Sequence, residues 1–262
     1  ENLIIAADHF GYNHTVSYVP GEESIIARVS LQPNAQAPMD PQLFSAITSL
    51  EKSSPSKTNE SLPEQDSVPQ TANQIDLANI ESISTDQDIR VFLIDDPDIK
   101  SRFLNLTLNA DQVLYSDIEF KSELGHWLSR GAMGPTGVEA KIDQIKVAFL
   151  DSVPGQIEKD SEIINNSLYL GFITSQKNDP ESQVRAGQLF ERIRLLSSSA
   201  NLSLQPMNQA LQAVETESEV SGLLGEKSEA LNGSFVQQIF CLDAVGPANE
   251  LTPRRPLEEV LI

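Results

Sequence analysis

The segment ENLIIAADHFG, residues 1–11, has the apolar spacing of an α-helix. Between Leu3 and Phe10 the apolar residues recur at i, i+3, i+4 and i+7, which places them on one helical face. Gly11 follows at the position where a residue in the left-handed conformation commonly ends a helix. No N-cap residue precedes the segment, so we expect the natural protein to continue upstream.

A second segment, ERIRLLSSSAN at residues 191–201, aligns with the first. The aligned pairs are Glu1 with Glu191, Leu3 with Ile193, Ile5 with Leu195, Ala7 with Ser197 and Gly11 with Asn201. Gly and Asn both adopt left-handed backbone angles readily, so the two helices are expected to end alike. The pattern predicts two copies of one α+β half within a single chain. The alternative is that any two amphipathic helices can be slid into register.

The composition bounds the class of protein. The chain has 262 residues, with 38 acidic and 18 basic side chains and a formal net charge of −20. Such a balance disfavours nucleic acid and anionic membrane surfaces as partners, because both are bound through Lys and Arg. No apolar run approaches the roughly 20 residues of a membrane-spanning helix. The single cysteine, Cys241, allows no intrachain disulfide and no CxxC motif, which favours a cytoplasmic protein.

Periodicity and turn signals divide the rest of the chain into elements. Helices are predicted over residues 41–51, 97–115, 117–128, 179–200 and 215–226, and strands over 24–31, 90–94, 168–174 and 234–244. An extended piece over 15–19 precedes a Pro20-Gly21 turn. Residues 138–162 fit either a helix or an irregular segment. Residues 52–74 are rich in Ser, Pro, Gln and Glu and predict a long exposed connection.

Four blocks of sequence resemble the nitroreductase superfamily, and in particular its double-length, flavin-sequestering branch. They are ENLIIAADHFGY at residues 1–12, DIEFKSELGHWLSR at 117–130, RAGQLFERIRLLSSSANLSLQPMNQ at 185–209 and TPRRPLEEVL at 252–261. The resemblance implies an α+β fold in which a mixed sheet is wrapped by helices, in an internally duplicated, pseudo-dimeric arrangement. Residues 1–51 would then be the remainder of a first half, 52–74 a polar linker and 75–262 a second half. The amino-terminal part of the first half is absent from this sequence.

The resemblance also implies a function. Family members bind FMN between two halves, and many pass a hydride from NAD(P)H through FMN to a nitro compound or quinone. The expected partner is therefore a small-molecule electron acceptor, and a homodimer is possible. Part of the double-length branch holds flavin without evident turnover, which leaves a flavin-sequestering protein as the alternative. A structural relative that has lost flavin is the third possibility.

The candidate phosphate site is the Arg254-Arg255 pair. Guanidinium groups bind phosphate oxygens through two parallel hydrogen bonds, and a chain of net charge −20 needs local cations to hold the FMN phosphate. The alternative is that the pair forms salt bridges with Glu258 or Glu259. Lys52 and Lys57 are further candidates, because their loop stands where the double-length branch carries an Arg-rich motif; the alternative is that they are solvated.

The candidate flavin-ring site is the segment Gln205-Pro206-Met207. It follows the second central helix, where the resemblance implies that a loop approaches the flavin ring; the alternative is simple helix termination. Other chemistries lack support in the sequence. The three histidines have no metal-ligand spacing, and no GxGxxG, Walker or GxSxG motif is present, so neither a metal ion nor a catalytic side chain is predicted.

Overall fold

The structure is a computed structural model that describes residues 1–21, 25–34, 41–50, 80, 83, 88–130, 153–200, 202–225 and 233–243. Its helices are α1 (Asn2–His9), α2 (Pro41–Leu50), α3 (Pro97–Ser116), α4 (Ile118–Ser129), α5 (Val153–Asn166), α6 (Pro180–Ser199), α7 (Gln209–Gln212) and α8 (Val214–Gly225). Its strands are β1 (Tyr12–Tyr18), β2 (Ala27–Pro33), β3 (Ile89–Ile94), β4 (Tyr169–Ser175), β5 (Ser203–Pro206) and β6 (Phe235–Asp243). The chain is therefore an α+β protein, as predicted.

The larger sheet has four antiparallel strands in the order β3-β4-β6-β5. Successive side chains of a strand point to opposite faces, and β4 and β6 bury both of theirs. On one face, Phe172 and Ile239 pack with residues of α3, α5, α7 and α8. On the other, Ile173 and Phe240 pack with residues of α6. The sheet is thus covered by helices on both faces.

The smaller sheet is the antiparallel pair of β1 and β2, whose residues are mostly exposed. It follows α1, and α1 packs on α2. A buried cluster joins these helices to α6: it contains Ile5 of α1, Leu43 and Ala46 of α2, and Leu195 of α6. The first part of the chain is therefore attached to the larger sheet through α6.

Local signals place the helix boundaries where the sequence predicts them. Asp96 and Asp179 each precede a proline, and each carboxylate accepts hydrogen bonds from backbone N–H groups of the first turn of α3 or α6. Gly11 has φ +79°, so the predicted left-handed end of α1 is confirmed. A Cβ on Gly11 would also lie 2.9 Å from the Asn34 carbonyl oxygen, which reinforces the need for glycine.

Some predicted boundaries were wrong. The predicted strand over 24–31 is β2, Ala27–Pro33, because its register is set by pairing with β1. The predicted loop at Gln205-Pro206 is strand β5, followed by the short helix α7. Within the ambiguous stretch 138–162, helix α5 begins at Val153. The predicted linker over 52–74 lies outside the described residues. None of the described helices is long and apolar enough to cross a membrane.

Candidate functional site

The segment Gln205-Pro206-Met207 lies at the edge of the larger sheet. Strand β5 pairs only with β6 among the described strands, with Gln205 opposite Cys241 and Pro206 opposite Phe240. Proline is tolerated here because an edge strand has one side free of ladder hydrogen bonds. Gln205 and Pro206 are exposed, so a ligand can reach them.

Met207 has a different environment from its two neighbours. Its side chain is only 1% exposed and belongs to the core beneath the sheet. Its backbone N–H donates to the Ile239 carbonyl over 2.9 Å. Met207 therefore fixes the end of β5, and its side chain has no surface to offer a ligand.

The two residues after Met207 anchor the same segment. The Asn208 Oδ1 accepts a hydrogen bond from the backbone N–H of Ile239 at 2.9 Å. The Gln209 Nε2 donates to the Asp160 Oδ2 of α5, also at 2.9 Å. These anchors were not predicted from the sequence, since both partners are distant in the chain.

The four predicted basic residues, Arg254, Arg255, Lys52 and Lys57, lie outside the described residues. Of the seven predicted site residues, the structure therefore places only Gln205, Pro206 and Met207. These three are consecutive residues, two at the end of β5 and the third directly after it. The phosphate-binding role of the arginines and lysines stays a prediction.

A polar network joins the start of α1 to the middle of α6. Glu1 forms an ion pair with Arg192 at 2.9 Å, and the Asn2 Nδ2 donates to the Glu191 carboxylate at 2.9 Å. Arg194 adds two hydrogen bonds to Glu191, at 2.7 and 2.8 Å. Burial acts to raise the pKa of Glu191, but the hydrogen bonds from Arg194 and Asn2 outweigh it and hold that pKa below its ordinary value. Glu191 is therefore ionised, and it accepts hydrogen bonds from both Asn2 and Arg194.

Cys241 is excluded as a nucleophile. Its side chain is buried in the core of the sheet, and burial raises the pKa of the thiol to about 12. The reactive species of cysteine is the thiolate, which is not formed at neutral pH with such a pKa. The described residues also contain no group of three or more His, Cys, Asp or Glu side chains arranged to hold a metal ion.

A groove of about 250 Å³ lies between α3 and α8. Its lining combines four polar side chains with two apolar ones: Arg102, Asn105, Asn109, Glu219, Leu106 and Leu223. Ligand pockets usually have volumes of roughly 300–1,000 Å³, so this groove is small for a flavin. Among the predicted flavin-binding residues that the structure describes, Gln205, Pro206 and Met207, none lines this groove.

The fold and these contacts define an α+β protein. The exposed residues Gln205 and Pro206 on the edge strand β5 form its candidate ligand edge. No family model and no curated protein matches the sequence. Among solved structures, the chain is similar to a BluB-like flavoprotein from Clostridium difficile 630, with a TM-score of 0.46 and 11% sequence identity. That similarity covers 82% of this chain and 97% of the other. At this TM-score it establishes neither a shared family nor a shared activity.

Proposed function

We propose that this chain is a flavin-binding protein of the nitroreductase type, and that it holds FMN between two related halves. Its activity would be the transfer of a hydride from NAD(P)H through FMN to a nitro compound or quinone. The proposal starts from the four blocks that resemble the nitroreductase superfamily. Two of these blocks correspond to α1 and to the span from α6 through β5.

The observation that carries the proposal is a reciprocal contact between α1 and α6. The sequence repeat aligns Glu1 with Glu191, and hence Asn2 with Arg192. Glu1, the first residue of the first repeat, contacts Arg192, the second residue of the second repeat. Conversely, Asn2, the second residue of the first repeat, contacts Glu191, the first residue of the second repeat. Contacts that remain the same when the two partners are exchanged are the signature of a two-fold axis.

Two further features support a local two-fold axis between the halves. Ile5 and Leu195, a third aligned pair, belong to the same buried cluster. Each helix also leads into a strand that pairs antiparallel with a later strand, β1 with β2 and β5 with β6. A single chain with this internal symmetry would imitate the dimer interface at which the resemblance places FMN.

The chain's own residues fit a flavin in part. Gln205 is exposed at the sheet edge, and its amide can both donate to and accept from the polar edge of an isoalloxazine ring. Met207 does not fit a role at the ring, because its side chain is buried. Arg254 and Arg255 would hold the phosphate. When bound, FMN supplies the hydride chemistry, so the protein needs to bind and orient rather than to provide an acid–base group.

Residues 207–209, which follow β5, are anchored by hydrogen bonds to β6 and α5. A flavin bound beside this segment would be held rigidly, which suits both catalysis and simple retention of the cofactor. A non-catalytic flavin-sequestering protein is therefore the second candidate. We also propose a small-molecule acceptor as the partner of the enzyme, with a homodimer possible. The one cysteine, Cys241, is buried and unpaired, which supports a reducing compartment such as the cytoplasm.

The test begins with the absorbance spectrum of the purified full chain after incubation with FMN and gel filtration. Retained flavin supports the proposal, and a colourless protein overturns it. Bleaching of the flavin band by NADPH or NADH without oxygen indicates the oxidoreductase, whereas a bound flavin that neither nucleotide reduces indicates the sequestering protein.

The phosphate site is tested by the double variant Arg254→Ala/Arg255→Ala. We expect it to lose most of its flavin, because the phosphate dianion loses its guanidinium partners. The matched control is Lys177→Ala/Arg185→Ala, which removes the same charge; Arg185 forms a 3.6 Å surface ion pair with Glu181. Equal flavin retention in the two double variants contradicts the assignment of the arginine pair.

A further inference from the structure

Two carboxylates face each other inside the helical layer beneath the sheet. Asp111 of α3 is 0% exposed and Asp160 of α5 is 2% exposed. Among the described residues, no lysine or arginine forms an ion pair with either carboxylate. Two ionised carboxylates in contact and away from water repel each other strongly, so this arrangement favours one neutral partner.

Hydrogen bonding distinguishes the two carboxylates. The Asp160 Oδ2 accepts from the Gln156 Nε2 at 2.7 Å and from the Gln209 Nε2 at 2.9 Å. Neither oxygen of Asp111 has a donor, and the hydroxyl of Thr107, one turn earlier on α3, is also buried without a partner. Two amides therefore donate to Asp160, whereas Asp111 receives no donor and interacts with the Asp160 carboxylate.

We propose that Asp111 and Asp160 share one proton, which Asp111 donates to Asp160, and that this proton makes the packing of α3, α5 and α7 sensitive to pH. The inference goes beyond flavin binding and does not depend on it. The proton converts a repulsion between two helices into a hydrogen bond between them. Gln209 extends the same network to α7, directly after the anchored segment of the candidate ligand edge.

The groups around the pair are consistent with a bound proton. Burial, and then the charges of Asp111 and Asp160, raise the pKa of Tyr115 on α3, so this phenol stays neutral. Phe120 of α4 packs on the Tyr115 ring, and β6 contributes the neutral thiol of Cys241. The carboxylate of Glu219 on α8 lines the groove beside Asn105 and Asn109, which occupy a different face of α3.

The direction of the pH effect follows from the titration of Asp111. Burial is the first cause that raises the pKa of this carboxyl from 3.8 to about 7, and the charge and hydrogen bond of Asp160 add to it. The folded protein therefore binds the proton more tightly than the unfolded chain does. The stabilisation by this proton is fully present below the pKa that Asp111 has in the unfolded chain. It is lost as the pH rises from there through the pKa of Asp111 in the folded protein. Over these three pH units the folding equilibrium constant falls by roughly a thousandfold.

The test compares urea unfolding of the full chain at several pH values for the wild type and Asp111→Asn. The amide that this substitution introduces donates to Asp160 at every pH. We therefore expect the variant to be as stable as the wild type near pH 4 and more stable near pH 8. The difference at pH 8 should reach up to roughly a thousandfold in the folding equilibrium constant. The matched control, Glu158→Gln, removes one exposed charge from α5 and should retain the wild-type slope. An unchanged slope in Asp111→Asn overturns the proposal.

Two additional measurements keep the proposal open to refutation if the variant folds poorly. Carboxyl carbon NMR of the wild type should show one aspartate titrating far above the ordinary Asp value of about 3.9, and its absence overturns the shared proton. At pH 8, replacing choline chloride by potassium, magnesium or calcium chloride at equal ionic strength should leave stability unchanged. Selective stabilisation by one metal would instead identify the pair as a cation site and overturn the proposal.

Discussion

Replacing Gly171 by alanine should destabilise the fold, because the centre of the larger sheet has no room for a methyl group there. Gly171 of β4 pairs directly opposite Phe240 of β6. A Cβ on Gly171 would overlap the Phe240 ring, and even the third nearest ring atom, Cε1, would lie only 2.7 Å away. Carbon atoms in contact are normally about 3.5–4.0 Å apart, so the ring has to move.

The magnitude follows from what surrounds Phe240. The ring is fully buried and packs against Phe190 with ring centroids 5.9 Å apart, so it has no free space to enter. Overpacking of a core costs about 1–3 kcal/mol. Alanine recovers about 0.5–1 kcal/mol of backbone entropy relative to glycine. We therefore expect the free energy of unfolding to fall by about 1 kcal/mol, the difference between the middles of these two ranges.

The assay is urea unfolding followed by circular dichroism. Gly187→Ala is the matched control, since Gly187 lies exposed in α6 and a Cβ there would meet nothing within 4 Å. That control should be stabilised by about 0.5–1 kcal/mol, because alanine is the better helix former. Gly171→Ala combined with Phe240→Leu should cost less than the sum of the two single changes, because leucine removes the overlapping ring atoms.

Wild-type stability of Gly171→Ala, or additivity of the two changes, would show that Phe240 does not limit the space at Gly171. The same substitution also connects the core to the candidate ligand edge. Pro206 of β5 lies opposite Phe240, on the side of β6 away from Gly171. If the proposed flavin site lies at this edge, a displaced Phe240 should weaken flavin retention as well as stability.

Two further predictions concern the half-buried Lys100 and the buried Cys241. Lys100→Met should lower the free energy of unfolding by about 1.5–3 kcal/mol, because the ammonium group donates to the carbonyls of Ser167 and Leu168, at 2.7 and 2.9 Å, and charged hydrogen bonds are worth about that much. Lys159→Met, at an exposed position of α5, should change little in the same urea assay. Cys241 should not react with a disulfide reagent in the folded protein at pH 8 and should react fully in urea, because burial raises the pKa of its thiol to about 12; fast reaction of the folded protein would contradict this.

Much of the fold could be predicted because local signals determine it. Asp96-Pro97 and Asp179-Pro180 mark the starts of α3 and α6, since an aspartate cap and a proline in the first turn both favour initiation. Strand β5 could not be predicted in this way. It has only four residues and ends in Pro206, a residue that ordinarily argues against a strand, and its pairing with β6 overrides that local preference.

The candidate site was less predictable than the fold, because its contacts join distant parts of the chain. The hydrogen bond from Asn2 to Glu191 spans 189 positions, and the bond from Gln209 to Asp160 spans 49. The repeat aligns Glu1 with Glu191 and Asn2 with Arg192, but it does not indicate that α1 and α6 are in contact. Asp111 carried a signal of its own, since it lies on the same helical face as the buried Phe103 and Thr107, where a carboxylate is unexpected.

The proposed two-fold relation between α1 and α6 makes a thermodynamic prediction about Ile5 and Leu195. Both are nearly fully buried, at 3% and 0% exposure, and both belong to the cluster that joins the two helices. Each change to alanine should cost about 2–5 kcal/mol. If the two residues occupy equivalent places beside one axis, the double variant enlarges a single cavity rather than creating two.

The double variant should therefore cost less than the sum of its parts, by about 0.5–3 kcal/mol in urea unfolding. The control pair is Ile5→Ala with Ile99→Ala, because Ile99 lies in the separate cluster beneath the larger sheet. That pair should be additive within about 0.3–0.5 kcal/mol. If Ile5 and Leu195 are as independent as the control pair, the two helices do not share an axis. The proposed flavin site between two related halves then loses its structural basis.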